Sequence, residues 1–305
     1  MMPSRLLVTN VYERFAKDRA ESRRANTIRN DRGFLRFCEA ASCEYVNQID
    51  RAAAQRYEAA RLVAPTTKRL ELKVTKVVLD WCVDHKLLRE NPLAKYRCES
   101  TNADTNPHRA FSLDELNAIL SAAYPPLDLM VKIYAVTGLR RTELCSITWG
   151  DVDLDEGIIR LSGSITKTKV GRFAVLGPKL VELLREHQGA RADPPAHPGS
   201  GALVFPTRNG TSMYSTVWQS FTRACRRAGI DMAGAHPHSL RVTCATLLYM
   251  ELGAPSAVVD LILGHGVVKD PKAPLSIRKY LKARPEMIRP WIVRLEELIL
   301  EGGVR

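Results

Sequence analysis

The C-terminal part of the chain holds a histidine and a tyrosine that could act together on a phosphate. His265 follows a Leu-Gly pair expected to end a helix, and Tyr280 lies among Arg278, Lys279 and Lys282. A phenol ordinarily has a pKa of about 10, and neighbouring cations favour its ionised, nucleophilic form. Tyr280 is therefore either a solvated surface residue or a nucleophile that attacks phosphorus.

Three stretches earlier in the chain carry side chains that suit the second interpretation. "TGLRRTEL" places Arg140 after a glycine at a helix junction, with Glu143 one turn later. "TKTK" places Lys167 in a predicted hairpin loop, and "HPHSLR" sets His238 three residues before Arg241. That spacing puts both residues on one helix face. Each residue alone is more often an ordinary surface or capping group, so the ordered set carries the argument.

The first third of the chain is predicted to be helical. Residues 8–96 have apolar residues at helical spacing. The clearest stripe follows Ala64, where Thr66 or Thr67 could cap a helix and Glu71 lies near its start. We expect this stripe to face the core through Leu70, Val74, Val77, Val78, Trp81 and Leu87.

The charge of the chain indicates an anionic partner. The net charge is +12, and residues 1–100 hold 20 Lys and Arg against 13 Asp and Glu, a net charge of +7. Nucleic acid is favoured over an anionic membrane because the basic residues are dispersed. The predicted DNA-facing residues lie opposite the apolar stripe: Lys68, Arg69, Lys73 and Lys76.

A second domain follows a polar segment, residues 98–110. Ser112 and Glu115 form a capping-box pattern that begins its first helix. Two short strands, 157–164 and 172–177, form a predicted hairpin, and residues 202–206 could add an edge strand. Helical pattern resumes at Ser215, after Ser239 and after Ser256. The predicted domains are a helical domain at 1–97, a linker at 98–110, a mixed domain at 111–290 and a tail helix at 291–305.

Several classes of protein do not fit this sequence. The seven cysteines are odd in number and lack zinc-ligand spacing, so reduced, mostly buried thiols are expected. We predict no metal and no cofactor. The first residues do not form a secretory signal, and no apolar run is long enough to span a bilayer. The predicted location is the cytoplasm.

The order Arg, Lys, His-x-x-Arg, His, Tyr resembles the tyrosine recombinase (phage integrase) family. "TGLRRTEL" is similar to the family's first box and "HSLR" to its second, while "LGH" precedes the tyrosine. The helical region that ends at Asn91-Pro92 resembles the family's core-DNA-binding domain. The resemblance extends from about residue 8 to residue 285. It implies a mainly α fold with a small antiparallel sheet, arranged as a two-domain clamp on DNA.

The resemblance also assigns roles that fit phosphoryl transfer without metal or ATP. Arg140 and Arg241 would bind the non-bridging oxygens, with His238 and His265 as further donors. Lys167 would protonate the departing 5′ oxygen. Tyr280 would attack phosphorus and hold the DNA as a 3′-phosphotyrosine. Glu143 would be an accessory acid, with orientation of the site as likely a role as chemistry.

Some assignments have neighbours of the same type. Arg141 adjoins Arg140, but the family pattern falls on the residue directly after "TGL". His236 lies off the helix face of Arg241, and Lys169 is the alternative to Lys167. No other tyrosine follows His265. The gap between His265 and Tyr280 is longer than the family usually shows. Pro271 and Pro274 interrupt any helix there, and Ser276 could cap a new one.

The function implied is site-specific cutting and rejoining of double-stranded DNA through a Holliday junction. It would serve integration or excision of a mobile element or phage, or replicon resolution. The implied assembly is a homotetramer on two DNA sites, compatible with accessory DNA-bending proteins and association with the nucleoid. The tail helix would pack either on its own domain or on a neighbouring protomer. The alternatives are DNA relaxation like that of type IB topoisomerases, and DNA binding without cleavage.

Overall fold

The computed structural model is mainly helical with one small antiparallel sheet, which confirms the predicted fold class. The chain divides into two compact units, Met1–Thr105 and Asn106–Arg305. The boundary falls inside the polar segment 98–110. The structure describes residues 6–20, 30–98, 108–163, 171–190, 201–264 and 284–302.

Four helices form the described part of the first unit, and their apolar faces surround one core. The helices are α1 (Val8–Ala20), α2 (Gly33–Ala40), α3 (Arg51–Ala60) and α4 (Pro65–Asp84). Asp50 caps α3 by accepting a hydrogen bond from the Ala53 amide at 2.7 Å. The largest fully buried side chains of this core are aromatic: Phe15, Phe34, Phe37 and Tyr57.

Helix α4 buries a face that overlaps the predicted stripe but is rotated from it: Val74 and Val78 are buried as predicted, and Trp81 is partly buried. Leu70 and Val77 are 43% and 39% exposed, whereas Leu72 and Leu79 are buried. The predicted threonine cap is also wrong. The helix begins at Pro65, which tolerates that position because it has no amide hydrogen to leave unpaired.

Glu71 explains the rotation of α4. Its side chain is 3% exposed and its carboxylate accepts hydrogen bonds from Arg61 Nε and Nη2, both at 3.0 Å, and from the Tyr57 hydroxyl at 2.9 Å. Burial alone would raise the pKa of Glu71, but these hydrogen bonds hold it below its ordinary value. A sequence pattern assigns a carboxylate to the solvent-facing side of a helix. Glu71 is buried instead because its ion pair with Arg61 compensates its charge.

The second unit is built around a buried helix that other helices cover. Helix α5 (Leu113–Ala122) begins with the predicted capping box, in which Ser112 Oγ accepts from the Glu115 amide at 3.1 Å. Helix α6 (Leu127–Thr137) is buried along most of its length. The remaining helices are α7 (Arg141–Leu144), α8 (Pro178–Gly189), α9 (Val217–Arg227), α10 (Pro237–Thr246), α11 (Ser256–Leu263) and α12 (Pro285–Leu300).

The small sheet contains the predicted hairpin but not the predicted edge strand. Its strands pair antiparallel in the order β1 (Val152–Asp153), β2 (Ile158–Leu161) and β3 (Arg172–Val175). Residues 202–206 pair instead with the segment before β1, where the Trp149 amide donates to Ala202 O at 2.9 Å. An apolar run identifies a buried segment, but the pairing partner depends on where Val204 and Phe205 reach the core.

The C-terminal helix packs on its own unit. Helix α12 begins at Pro285, six residues before the predicted tail, and its buried residues include Ile292, Leu295 and Ile299. Glu296, also buried, accepts hydrogen bonds from the Leu180 amide at 2.7 Å and the Lys179 amide at 3.3 Å. These bonds satisfy amides at the start of α8 that have no partner within that helix.

All seven cysteines are free thiols, as expected, and six are buried, with Cys98 partly exposed. Burial raises the pKa of Cys145 and of Cys225 to about 11. Within the described residues, no helix combines the length and the apolar character needed to cross a bilayer.

Candidate active site

Arg140 is positioned by a sharp junction between two helices. Helix α6 ends at Gly138, whose φ of 59° is left-handed. A Cβ at this position would lie 2.6 Å from Leu263 Cδ2, so both the backbone conformation and the available space require glycine. Arg140 follows as the residue that precedes α7, and its amide donates to Glu143 Oε2 at 2.8 Å. The predicted junction is therefore present.

Glu143 lies under this junction with no exposed side-chain surface. Its Oε1 accepts from Arg140 Nη1 at 2.8 Å and its Oε2 from Arg172 Nη2 at 2.6 Å. Burial alone would raise the pKa of Glu143, but the two arginines and the Arg140 amide hold it below its ordinary value. Glu143 is thus an ionised carboxylate between two cations, which agrees with the orienting role considered for it.

The sequence interpretation did not include Arg172. It opens strand β3 and its side chain is 13% exposed. A basic residue at the start of a short strand that is otherwise apolar is the one signal that could have identified it. Such a residue needs a buried acid as its partner, and Glu143 is that acid.

Arg241 is the most buried of the three arginines, at 4% exposure. Its Nη1 donates to Gly138 O and its Nη2 donates to Leu263 O at 2.5 Å. Burial lowers the pKa of Arg241 to about 10, with a further contribution from Arg140 and Arg172. The group stays protonated at neutral pH, and these two bonds use two of its five N–H donors.

The three arginines meet at the end of helix α11. Arg172 Nη1 donates to Ile262 O at 3.1 Å, Arg241 Nη2 to Leu263 O at 2.5 Å and Arg140 Nη2 to Gly264 O at 3.3 Å. We call these three successive carbonyls the 262–264 carbonyl row. The last carbonyls of a helix have no intrahelical partner and carry partial negative charge. The row therefore binds three cations at the residues that directly precede His265 in the sequence.

His238 lies on the open side of this region. It is exposed on helix α10, and it lines a cleft of about 580 Å³ together with Arg140, Arg141 and Trp218. His238 and Arg241 share the helix, as predicted. The cleft gives a ligand access to Arg140 and His238, whereas Arg241 is buried and does not line the cleft.

His236 sets the start of that helix. Its Nδ1 accepts from the His238 amide at 3.1 Å, so the neutral ring carries its proton on Nε2. That nitrogen lies 3.0 Å from His108 Nε2, which must then accept the hydrogen bond. The chain therefore uses His236 as a helix cap in a fixed tautomer, and His238 remains the preferred candidate for phosphate contact.

This arrangement makes the stability of the second unit dependent on pH. Burial, followed by the nearby His108, His238 and Arg141, lowers the pKa of His236 to about 4. The unfolded chain, with an ordinary histidine pKa of about 6.5, binds the proton more readily. The resulting stability is present above about pH 6.5 and is lost as the pH falls toward 4. At about 1.4 kcal/mol per pKa unit, the loss is at most about 3.5 kcal/mol, and solvent screening of the partly exposed ring makes it smaller.

We expect His236→Ser to flatten this pH dependence because serine retains a capping oxygen but does not titrate. Urea unfolding between pH 6.5 and 4.5, followed by tryptophan fluorescence, measures the change. His85→Ser, at the exposed residue that follows α4, is the control. An unchanged pH slope in His236→Ser would contradict the assignment.

The predicted DNA-facing residues of α4 have mixed environments. Lys68 Nζ donates to Glu58 O at 2.7 Å, and Lys76 Nζ donates to Ala94 O at 3.2 Å and Tyr96 O at 2.5 Å. Lys73 is exposed and Arg69 is partly buried. Two of the four cations thus hold the backbone of their own unit, and contact with DNA stays a prediction for all four.

Other predicted site residues fall in parts of the chain that the structure does not describe. These are Lys167, its alternative Lys169, His265 and Tyr280. The described parts bring Arg140 and Arg241 to Gly264 and Leu263, the two residues that precede His265, and pair Arg140 with Glu143. Among the described residues, no group of three or more His, Cys, Asp or Glu side chains is arranged to hold a metal ion.

Solved structures of DNA-processing enzymes share this fold. A lambda integrase dimer bound to a COC′ core site is 17% identical, with a TM-score of 0.69 over 88% of this chain and 99% of that one. The Tn1549 transposon integrase in complex with a circular intermediate DNA is 18% identical, with a TM-score of 0.69 over 92% of this chain and 97% of that one. A lambda integrase tetramer bound to a Holliday junction is 17% identical, with a TM-score of 0.69 over 88% of this chain and 80% of that one.

Sequence relatives carry the name tyrosine recombinase XerD. The protein from Vibrio cholerae serotype O1 is 29% identical over 208 residues, which is 66% of this chain and 67% of that protein. The protein from Vibrio vulnificus strain YJ016 is 32% identical over 163 residues, about half of each chain, at 50% and 52%. The model of the phage integrase family matches residues 109–270, which contain the Arg140 junction, the "HSLR" motif and the 262–264 carbonyl row. The chain therefore belongs to the phage integrase family, to which the tyrosine-type site-specific DNA recombinases belong.

Proposed function

We propose that this protein cuts and rejoins double-stranded DNA at specific sites through a 3′-phosphotyrosine on Tyr280. The observation that carries the proposal is the convergence of Arg140 and Arg241 at the two residues before His265. Arg140 reaches Gly264 O and Arg241 reaches Leu263 O, although the two arginines are 101 residues apart in sequence. A charged cluster of this kind beside an open cleft suits a phosphodiester.

In the proposed reaction Tyr280 releases its proton to solvent and reacts as the phenolate that neighbouring cations favour. Its oxygen forms a bond to phosphorus, and the bond from phosphorus to the 5′ oxygen breaks. Arg140 and Arg241 offset the charge that develops on the non-bridging oxygens. His238 donates from the open side of the cleft, with His265 as a further donor. Lys167 supplies the proton to the departing 5′ oxygen.

The reverse step rejoins the DNA. A 5′ hydroxyl attacks the phosphotyrosine, its proton passes to the neutral amine of Lys167, and Tyr280 leaves as a phenolate. The ester bond energy is retained in the covalent intermediate, so the cycle needs no ATP. The pathway through paired strand exchanges and a Holliday junction rests on the family and on the lambda integrase tetramer, which is bound to such a junction.

The proposed partners are double-stranded DNA and three further copies of the chain on two DNA sites. The proposed role is integration or excision of a mobile element or phage, or replicon resolution, in the cytoplasm where the DNA lies. Accessory DNA-bending proteins are compatible with this role. The basic first unit, with a net charge of +7 in residues 1–100, supports a grip on the DNA backbone.

Mapping the covalent attachment tests the proposal. Duplexes that the protein selects from a random pool are nicked a few nucleotides to the 3′ side of each candidate position. Cleavage then releases a short fragment that carries the new 5′ hydroxyl. Because this fragment diffuses away, the DNA cannot be rejoined and the adduct accumulates. We expect a DNA 3′ end attached to the peptide that contains Tyr280, without added metal or ATP. Attachment through another residue, attachment to a 5′ end, or binding without any adduct would overturn the proposal.

A further inference from the structure

We propose that Arg172 is a positioning residue of this site, which holds Arg140 and the end of helix α11 in place without binding the phosphate itself. The inference rests on the proposed function and adds a residue to it. Arg172 lies at the start of β3, the strand that follows the hairpin loop predicted to carry Lys167. Arg172 is thus a described residue of that hairpin that belongs to the arginine cluster.

The two ends of the Arg172 fork bind two different parts of the unit. Nη2 donates to Glu143 Oε2 at 2.6 Å, and Nη1 donates to Ile262 O at 3.1 Å. These acceptors are 29 and 90 residues away in sequence. A planar guanidinium can hold both in fixed geometry, whereas an ammonium group is a point charge on a flexible stem. Arg172 therefore ties β3, α7 and the end of α11 together.

Gly264 leaves room for this side chain. Its φ is 62°, and a Cβ built on it would lie 2.5 Å from Arg172 Cδ and 2.7 Å from Arg172 Nε. The glycine of the "LGH" motif thus has two functions, since it ends α11 in the left-handed conformation and lets Arg172 pass against the backbone. The position of the residue before His265 is coupled directly to Arg172.

Arg172 also preserves the positive charge that a phosphate would meet. Glu143 holds Arg140 through two bonds, to the amide and to Nη1, but its charge alone would cancel that of Arg140. Arg172 supplies the second cation, so the three groups together carry a net charge of +1. Without Arg172, Arg140 and Glu143 would form a neutral pair.

Burial separates the role of Arg172 from that of Arg140. Arg172 is 13% exposed and does not line the cleft shared by Arg140 and His238, whereas Arg140 is 21% exposed. Arg241 does not line the cleft either, but its Nη1 and Nη2 bond only to carbonyls, whereas Arg172 Nη2 is paired with the carboxylate of Glu143. Arg172 therefore acts through Glu143, Arg140 and the carbonyl row.

The test compares Arg172→Met and Arg172→Lys with the wild type and with Arg160→Met. Arg160 is a matched control because it lies on the neighbouring strand β2, 56% exposed, in an ion pair with Asp153. Two quantities are measured: the single-turnover rate of adduct formation, and the slope of log Kd against log salt concentration. A phosphate contact contributes about 0.9 to that slope.

We expect Arg172→Met to slow adduct formation by about 100-fold, the scale of one lost electrostatic contact, and to leave the salt slope unchanged. The rate of adduct formation of Arg172→Lys should lie between those of Arg172→Met and the wild type, and the rate of Arg160→Met should equal that of the wild type. A salt slope lower by about one unit would show that Arg172 binds phosphate directly. An adduct rate equal to that of the control would show that it does not position the site. Either result overturns the inference.

A second variant protects the test against simple misfolding. Glu143→Gln removes the buried charge that Arg172 neutralises, so Glu143→Gln with Arg172→Met should cost less than the product of the two single effects. Effects that multiply independently would contradict the coupling.

If the wild type forms no adduct, the proposed function fails. The Arg172 inference is then tested by amide hydrogen exchange of residues 256–264. We expect faster exchange there in Arg172→Met than in Arg160→Met, and equal exchange overturns it.

Discussion

Tyr280→Phe is expected to abolish covalent attachment to DNA while the affinity for the selected duplex stays within about twofold of wild type. Phenylalanine keeps the aromatic ring but has no oxygen to bond to phosphorus, so the covalent step has no nucleophile. Binding depends mainly on cations that neutralise phosphates, and this substitution removes none of them. The effect on the chemical step is complete loss, in contrast to the graded effects expected for the arginines.

The experiment pairs a gel-shift measurement of affinity with the nicked-duplex trapping assay. Tyr249→Phe is the matched control because Tyr249 is 55% exposed on the π-helical turn that follows α10. We expect this control to form adduct at the wild-type rate. Adduct formed by Tyr280→Phe would show that another side chain is the nucleophile. Loss of binding in the same variant would show that Tyr280 acts in DNA recognition.

Arg241→Lys is expected to reduce the rate of adduct formation by about 100- to 1,000-fold, the range found when one preorganised donor is removed from an active site. The positive charge is retained, so the effect isolates the geometry of the fork. Arg241 is 4% exposed and bonds Gly138 O and Leu263 O with separate nitrogens. A lysine reaching one carbonyl would release the other and would present no planar face to a phosphate.

Single-turnover trapping measures this effect, and thermal unfolding shows whether the fold survives. Arg185→Lys is the control because Arg185 is 57% exposed and pairs with the exposed Asp155. Exposed ion pairs of this kind contribute little to stability. An Arg241→Lys protein that forms adduct within threefold of wild type would show that charge alone suffices. A protein with normal unfolding and a large loss of rate would support the fork.

The carbonyl row explains how residues far apart in the sequence form one site. Arg140 follows a helix junction, Arg172 begins a strand and Arg241 lies on a helix. All three bind the same three-residue helix end, where the carbonyls need donors. The helix end thus positions the arginines, and the arginines fix the residue before His265.

The local structures that carry the site residues could be predicted from the sequence because they depend on local signals. Gly138 at the junction before Arg140, the Ser112–Glu115 capping box and the β2–β3 hairpin involve residues that are close in the chain. Propensities and hydrogen-bonding patterns act over this range. For the same reason, the ordered motifs identified the family before any distance was known.

The tertiary structure alone decided which charged groups are buried and what they contact. The buried face of α4 depends on Glu71 meeting Arg61 and Tyr57, and the use of Arg172 depends on Glu143 and Ile262. A lone sequence pattern assigns carboxylates and guanidinium groups to solvent because an unpaired charge is costly to bury. Pairing removes that cost, but the partners are brought together only when distant segments pack. Candidate residues of the site could therefore be predicted from the sequence, whereas their arrangement at the end of α11 could be seen only in the tertiary structure.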